Sequence, residues 1–252
     1  MKKIKGGVCA AQGFKANGVH CGIRKNKTKR DLTLIVSNVR CAAACVYTQN
    51  LVKGAPILVT KKHVADGYAQ AIVCNSGNAN TCNADGEAIA EGMCALVEKH
   101  TGIAASDVVV ASTGVIGQPL SLEPIASGMG ELTAGLGDHS DFAAQGIMTT
   151  DTVDKQIAYS FELDGKECRI GAIGKGVGMI NPNMATMLIF VTTDAAISPA
   201  MLQKALSDDV KDSFNMVSVD GDTSTNDMVC VLASGLAGNS RIEGAGKDFT
   251  AF

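Results

Sequence analysis

Between Gly174 and Val191 the chain passes from a segment broken by Gly174, Gly176 and Gly178 into the compact apolar run Met187 to Val191, with Thr186 at the join. Glycines free the backbone and an unbroken apolar run demands burial, so a flexible loop must deliver a β-branched alcohol to the entrance of a buried strand. The other elements have to be arranged to cover that strand. The Thr186 hydroxyl is the candidate nucleophile. An alcohol at its ordinary pKa is a weak one, and no His-Asp pair of recognisable spacing lies nearby. A chain break just before Thr186 would supply the missing base, because a freed α-amine has a reference pKa of about 7.7 to 8.0 and can accept the hydroxyl proton. Small Ala185 on the acyl side is compatible with such a break.

The elements around this stretch follow from periodicity. Asp31 to Ser37 and Cys41 to Tyr47 read as two neighbouring strands separated by a polar break, and Ala69 to Asn75 as a third. Asn75-Ser-Gly-Asn-Ala-Asn80 turns the chain into a helix over about 85 to 99, whose Ile89, Met93, Leu96 and Val97 recur at helical spacing and whose stop signal is Gly102. Asparagines at such a turn also serve simply to bond their own backbone. Asp107 to Ser112 is a short buried strand ending at Thr113-Gly114. A helix with Ser121 as N-cap and Pro124 in its first turn carries Leu122, Ile125, Met129, Leu132 and Leu136 on one face. Asp164-Gly165 between the alternating runs 155 to 163 and 166 to 173 is a strong hairpin signal. Ser198-Pro199 caps a helix running to about Phe214 on Leu202, Leu206 and Val210. Met216 to Val219 and Met228 to Leu232 add two further strands, or a strand and a helix start. The tail from Ala237 to Phe252 shows no terminating element.

Composition removes several classes of function. The 252 residues are 46% apolar, enough for a sizeable core in a single interwoven unit, and 22 basic against 25 acidic residues give a net charge of -3. With no basic stripe and 4% aromatics, nucleic acid is not an expected partner. Nine cysteines without CxxC or His-linked spacing read as buried hydrophobes in a reducing cytoplasm, not as disulfides or a zinc site. Met1 to Lys5 has no apolar run behind it and no segment reaches membrane-spanning length, so a soluble intracellular protein is expected. Residues 14 to 31 read as a basic, solvated loop, and His20, His63, His100 and His139 as surface residues.

Gly174-Lys-Gly-Val-Gly178 fits neither nucleotide motif, lacking Ser or Thr after Lys and a following helix. Asp220 to Asp227 fails the calcium-loop pattern at Thr225, where glycine is required, and reads better as a polar loop lining a pocket. Lys175 is either a surface lysine or a charge held near Thr186, where it would bind a carboxylate and depress a neighbouring amine.

The run Lys175 to Leu188, with Thr186 inside it, resembles the self-cleavage and nucleophile segment of the ornithine acetyltransferase (glutamate N-acetyltransferase) family of arginine biosynthesis. Cys74 to Asn80, Ser112 to Gly117, Met148 to Thr152 and Val219 to Asp227 are similar to further segments of that family, in the same order, so the likeness runs from about Gly13 to Leu236. It implies a layered α-β-β-α sandwich of the kind also found in self-processing aminopeptidases. It implies cleavage between Ala185 and Thr186 into an α chain, 1–185, and a β chain from 186 onward. It assigns Thr186 as nucleophile, Thr113 and Gly114 as the oxyanion hole, and Thr149, Lys175 and Thr186 as substrate-binding groups. The expected reaction moves an acetyl group from N2-acetyl-L-ornithine to L-glutamate, with no cofactor or metal, acetyl-CoA being a conceivable second donor. An α2β2 heterotetramer in the cytoplasm is expected. The family continues past Phe252, so the unit 1–252 is expected to lack part of the pocket. Two other readings stay open: a threonine amidohydrolase or aminopeptidase on the same fold, and a non-catalytic binding protein, separated from the first by whether acetyl-glutamate, free acetate or neither is formed.

Overall fold

A computed structural model describes residues 1–176, 187–216 and 223–252. The strands are β1 (Lys2–Ile4), β2 (Phe14–Val19), β3 (Leu32–Tyr47), β4 (Tyr68–Asn78), β5 (Val108–Val115), β6 (Lys155–Leu163), β7 (Lys166–Lys175), β8 (Leu188–Thr193) and β9 (Met228–Ala233). The helices are α1 (Ala55–His63), α2 (Gly86–Thr101), α3 (Glu123–Ala134), α4 (Ser140–Ile147), α5 (Pro199–Asp212) and α6 (Lys247–Ala251). The strands join in the order β1-β6-β7-β8-β9-β3-β4-β5, with β2 beside the first part of β3. Among the strand pairs of the described residues, β4–β5 and β8–β9 are parallel and the others antiparallel.

The layering follows from the period-2 alternation of the strands. Ile35 of β3, Ile72 and Cys74 of β4 and Val109 of β5 share one buried cluster with Ile173 of β7, Phe190 of β8 and Cys230 of β9. The alternate residues Leu34, Val73 and Val110 face outward against Met93 and Val97 of α2 and Ile125 and Met129 of α3. On the opposite outer face Val191, Val229 and Val231 pack under Leu202, Leu206 and Val210 of α5. Helix, sheet, sheet and helix therefore stack as the expected α-β-β-α sandwich, with α4 set into the middle layer. No helix among the described residues is long and apolar enough to cross a membrane.

The hairpin around Asp164-Gly165 forms with Leu163 opposite Lys166, and both turn residues have positive φ, at 51° and 69°. Gly102 ends α2 in the left-handed conformation, and the Ser198 hydroxyl caps α5 by accepting the Met201 N–H at 3.4 Å.

Several expectations are corrected. Leu32–Tyr47 form one 16-residue strand, not two. At the polar break the register moves from Val36 opposite Ala71 to Cys41 opposite Ala69, so the strand bulges without reversing. Phe14 to Val19 is a strand with every side chain buried except Lys15, because Asn17 donates to the Leu132 carbonyl at 2.9 Å and needs no water. His63 is buried between the Val108 carbonyl, 2.9 Å from Nδ1, and Glu91, 3.1 Å from Nε2. Cys82 is exposed, and Cys9 and Cys21 are half-buried, unlike the other six cysteines. Met216 ends a short 3-10 turn, while residues 217–219 of the expected strand lie outside the described residues. The tail carries α6.

Candidate active site

The parallel strands β4 and β5 end side by side, with Ser76 opposite Thr113 and Gly77 opposite Gly114. Both glycines have positive φ, 111° and 135°, and their backbones approach so closely that a Cβ on Gly114 would lie 2.3 Å from the Gly77 carbonyl carbon. The bend this creates opens a cavity of about 510 Å³ lined by Arg24, Thr113, Gly114, Thr149, Lys175 and Asn226, among others. The carboxyl ends of parallel strands are a recurrent ligand position in α/β proteins.

Four of the expected site residues thus meet in one place: Thr113 and Gly114 from the end of β5, Thr149 from the segment after α4, and Lys175 from the end of β7. Ala185 and Thr186 lie outside the described residues. Lys175 is only 5% exposed, which excludes the surface-lysine reading, and its Nζ donates to Thr149 Oγ1 at 3.4 Å. Burial lowers its proton affinity, against the pull of Asp151 and Asp227. Asp151 ties the Thr149 segment to β7. It accepts Lys155 Nζ at 2.6 Å, the Gly176 N–H at 3.1 Å and the Thr149 N–H at 3.2 Å. Burial alone would raise its pKa, but these donors hold the carboxyl below its ordinary range.

The loop before β9 supplies the opposite wall. Ser224 and Thr225 line it with Asn226, as expected of a polar pocket loop. Asn226 Nδ2 donates to the carbonyls of Ala79 at 2.7 Å and Ser112 at 3.0 Å, while its Oδ1 accepts from the hydroxyls of Thr81 and Thr225, both at 2.6 Å. One side chain thereby fastens the loop to the ends of both β4 and β5, directly before Thr113. The asparagines after β4 do bond their own turn, as when Asn75 Nδ2 donates to the Asn78 carbonyl at 3.0 Å. Asn75 also reaches across, accepting the Ser112 hydroxyl at 2.5 Å.

Asp227 is the next residue along. Its Oδ1 accepts the N–H of Met187, the residue after Thr186, at 2.9 Å, and its buried Oδ2 has no partner among the described residues. Burial pushes this carboxyl up to about 8, opposed by the Met187 N–H, the Ser224 hydroxyl and Lys175. Ionising it costs more in the folded chain than in the unfolded one, so the folded state keeps the extra proton between pH 3.8 and about 8 and stability falls as pH rises through that window. Asp227→Asn retains the acceptor for Met187 and removes the titration. The urea midpoint of this variant is expected to gain on wild type between about pH 5 and about pH 8.5. Midpoints that stay parallel would show that Asp227 does not carry the effect.

Sequence reasoning missed Arg24, Asn226 and Asp227 as individual site residues. Arg24 was hidden in a stretch read as solvated. The available signal was Asp31, an acidic residue fully buried at the start of β3, which accepts the backbone N–H groups of Cys21 at 2.6 Å and Arg24 at 2.9 Å and so folds that stretch back onto the sheet. Among the described residues no His, Cys, Asp and Glu cluster has the geometry of a metal site.

This architecture defines a two-sheet α/β sandwich built around a polar pocket that holds buried Lys175 and half-buried Arg24. Its family is more particular: residues 15–252 match the ArgJ family, and the chain belongs to it. It is 49% identical over 255 residues to the arginine biosynthesis bifunctional protein ArgJ of Symbiobacterium thermophilum, covering 100% of this chain and 63% of that protein. It is 49% identical over 242 residues to ArgJ 1 of Clostridium acetobutylicum, covering 95% and 59%. The chain therefore spans about three fifths of the length of these curated relatives. Among solved structures, ArgJ of Bacillus halodurans matches with a TM-score of 0.68 and 39% identity over 73% of this chain and 97% of that one. The ornithine acetyltransferase of Mycobacterium tuberculosis, complexed with ornithine, matches with 0.64 and 31% over 74% and 99%. A Burkholderia β-aminopeptidase, 13% identical with a TM-score of 0.55 over 98% of this chain and 78% of that one, shares the fold alone.

Proposed function

We propose that this chain forms the pocket of an acetyltransferase that moves the acetyl group of N2-acetyl-L-ornithine to L-glutamate through an acetyl-Thr186 intermediate. The observation that carries the reading is the meeting of Thr113, Gly114, Thr149 and Lys175 in one cavity of a chain belonging to the ArgJ family. Thr186 Oγ attacks the Ala185 carbonyl, the peptide nitrogen leaves as the new α-amine, and water hydrolyses the resulting ester to free the Ala185 carboxylate. The α-amine then takes the Thr186 hydroxyl proton as Oγ attacks the acetyl carbonyl. Ornithine departs carrying a proton, and the glutamate amine attacks the acetyl ester in turn. The Thr113-Gly114 turn holds each oxyanion, and Lys175 with Thr149 holds the substrate carboxylate.

Two features support cleavage after Ala185. The Bacillus halodurans and Mycobacterium tuberculosis chains are nearly fully covered by 73% and 74% of this chain, and residues 1–185 are the same fraction of 252. The sheet also tolerates the cut, since β8 lies between β7 and β9, and β9 pairs with β3, so the two products stay interleaved. Acetyl-CoA as a second donor, an α2β2 assembly and a cytoplasmic site of action belong to the same proposal.

Intact-mass analysis tests it. Wild type is expected as two chains meeting at Ala185/Thr186 and Thr186→Ala as one, with acetyl-glutamate formed from acetyl-ornithine and glutamate by wild type only. An uncut wild type that still transfers acetyl groups would refute the terminal-amine mechanism, and release of free acetate without acetyl-glutamate would mark a hydrolase instead.

A further inference from the structure

The reaction as proposed uses one cation of the cavity and leaves a second without a role. We infer that Arg24 is a further substrate-binding residue, placed beside Lys175 so that the pocket holds the acceptor amino acid by both of its carboxylates; the inference rests on the reading of the reaction above.

Four observations converge on it. Arg24 is aimed by construction: buried Asp31 accepts the N–H groups of Cys21, Gly22 and Arg24, which fixes the turn from which the side chain projects. The absence of a side chain at Gly77 leaves the space that the arginine fills, since a Cβ there would sit 2.9 Å from Arg24 Cγ and 3.6 Å from Nε. Its guanidinium is also only partly used. Nη2 donates to the Met148 carbonyl, next to Thr149, but Nε is buried with no partner among the described residues. Finally, of the nearby carboxyl groups Asp227 is kept protonated by burial, and the other two are spoken for. Asp31 is held by three backbone N–H groups, and Asp151 by Lys155 and two more. Among the described residues neither Arg24 nor Lys175 has a carboxylate within 4.0 Å, although each feels the other's charge or that of Asp151.

One buried and one half-buried cation, neither with a bonded counter-ion among the described residues, favour a dianionic ligand, and glutamate brings two carboxylates. The β7–β8 register places Lys175 opposite Leu188, two residues beyond Thr186, so Lys175 takes the α-carboxylate next to the reacting amine. Arg24 takes the side-chain carboxylate. Ornithine and its N2-acetyl form both carry an ammonium at that end, so Arg24 disfavours donor and first product alike and selects for the acceptor.

Steady-state transfer by Arg24→Gln, with acetyl-ornithine as donor, tests the assignment. The KM for glutamate is expected to rise about tenfold or more, the loss of one charge-assisted hydrogen bond, with kcat little changed. Transfer to glutamine, which keeps the α-carboxylate and lacks the second, should be unaltered, and inhibition by ornithine unaltered or stronger. Arg24→Lys should recover part of the glutamate affinity, and it serves as the deciding variant if Arg24→Gln does not fold. An unchanged glutamate KM, or an equal loss for glutamate, glutamine and ornithine, overturns the inference and leaves the reaction standing. Calorimetric titration separates the two proposals further. Selective loss of glutamate binding in the variant supports the carboxylate site even without turnover, whereas wild type that binds neither glutamate nor glutamine overturns both.

Discussion

Gly114→Ala is expected to lose at least about 100-fold in acetyl transfer, the scale of removing an oxyanion donor. The new Cβ would lie 2.3 Å from the Gly77 carbonyl carbon, 2.6 Å from the Asn78 nitrogen and 2.7 Å from the Gly77 oxygen. All three are backbone atoms, so no rotamer change relieves the clash, and the ends of β4 and β5 must part. The φ of 135° adds strain of its own. Gly117→Ala is the control: it also has positive φ, 74°, but open space around the new atom, and only a modest loss of stability is expected. Circular dichroism melts together with transfer rates compare the two. A Gly114→Ala enzyme of normal activity would show that the Thr113-Gly114 turn is not where charge is stabilised.

Asn226→Leu should be the most destabilising substitution in the pocket wall. Leucine matches the shape but removes two N–H donors and an oxygen that accepts twice, leaving the carbonyls of Ala79 and Ser112 each short of a donor and the buried hydroxyls of Thr81 and Thr225 with only the longer bonds from Thr81 to the Ala79 carbonyl at 3.2 Å and from Thr225 to Thr81 at 3.4 Å. At roughly 1–3 kcal/mol per stranded group, less what solvent regains, the loss should reach about 3–5 kcal/mol. Denaturant unfolding measures it as a lower midpoint at unchanged m. A loss under about 1 kcal/mol would mean that the loop before β9 is not fastened through this residue.

What was legible before the structure depended on how far each signal reached along the chain. Helices α2, α3 and α5 were visible because an apolar stripe repeating every three to four residues is a local pattern, and Gly102 and Ser198-Pro199 mark ends that need no distant partner. The hairpin at Asp164-Gly165 was visible for the same reason. Thr113, Gly114, Thr149 and Lys175 were named from segments resembling a family, and the cavity holds all four. The long strand β3 was not legible, because its polar break looks like a turn until β4 is present to carry the register across it. Nor was the burial of His63, whose partners Val108 and Glu91 lie 45 and 28 residues away.

By itself the amino-acid sequence determined the alternating strands and the capped helices, since each is written in spacings of a few residues, whereas Thr113, Gly114, Thr149 and Lys175 stood out through their resemblance to a family's segments. Only the tertiary structure decided which charges are brought together. Arg24 and Lys175 are 151 positions apart in the chain, yet they line one cavity because the Asp31-anchored turn and the end of β7 converge on the ends of β4 and β5. Asp227 is a carboxyl that stays protonated near neutrality for a similar reason: burial removes the water that would otherwise stabilise its charge, and the Met187 N–H and Ser224 hydroxyl offset this only in part.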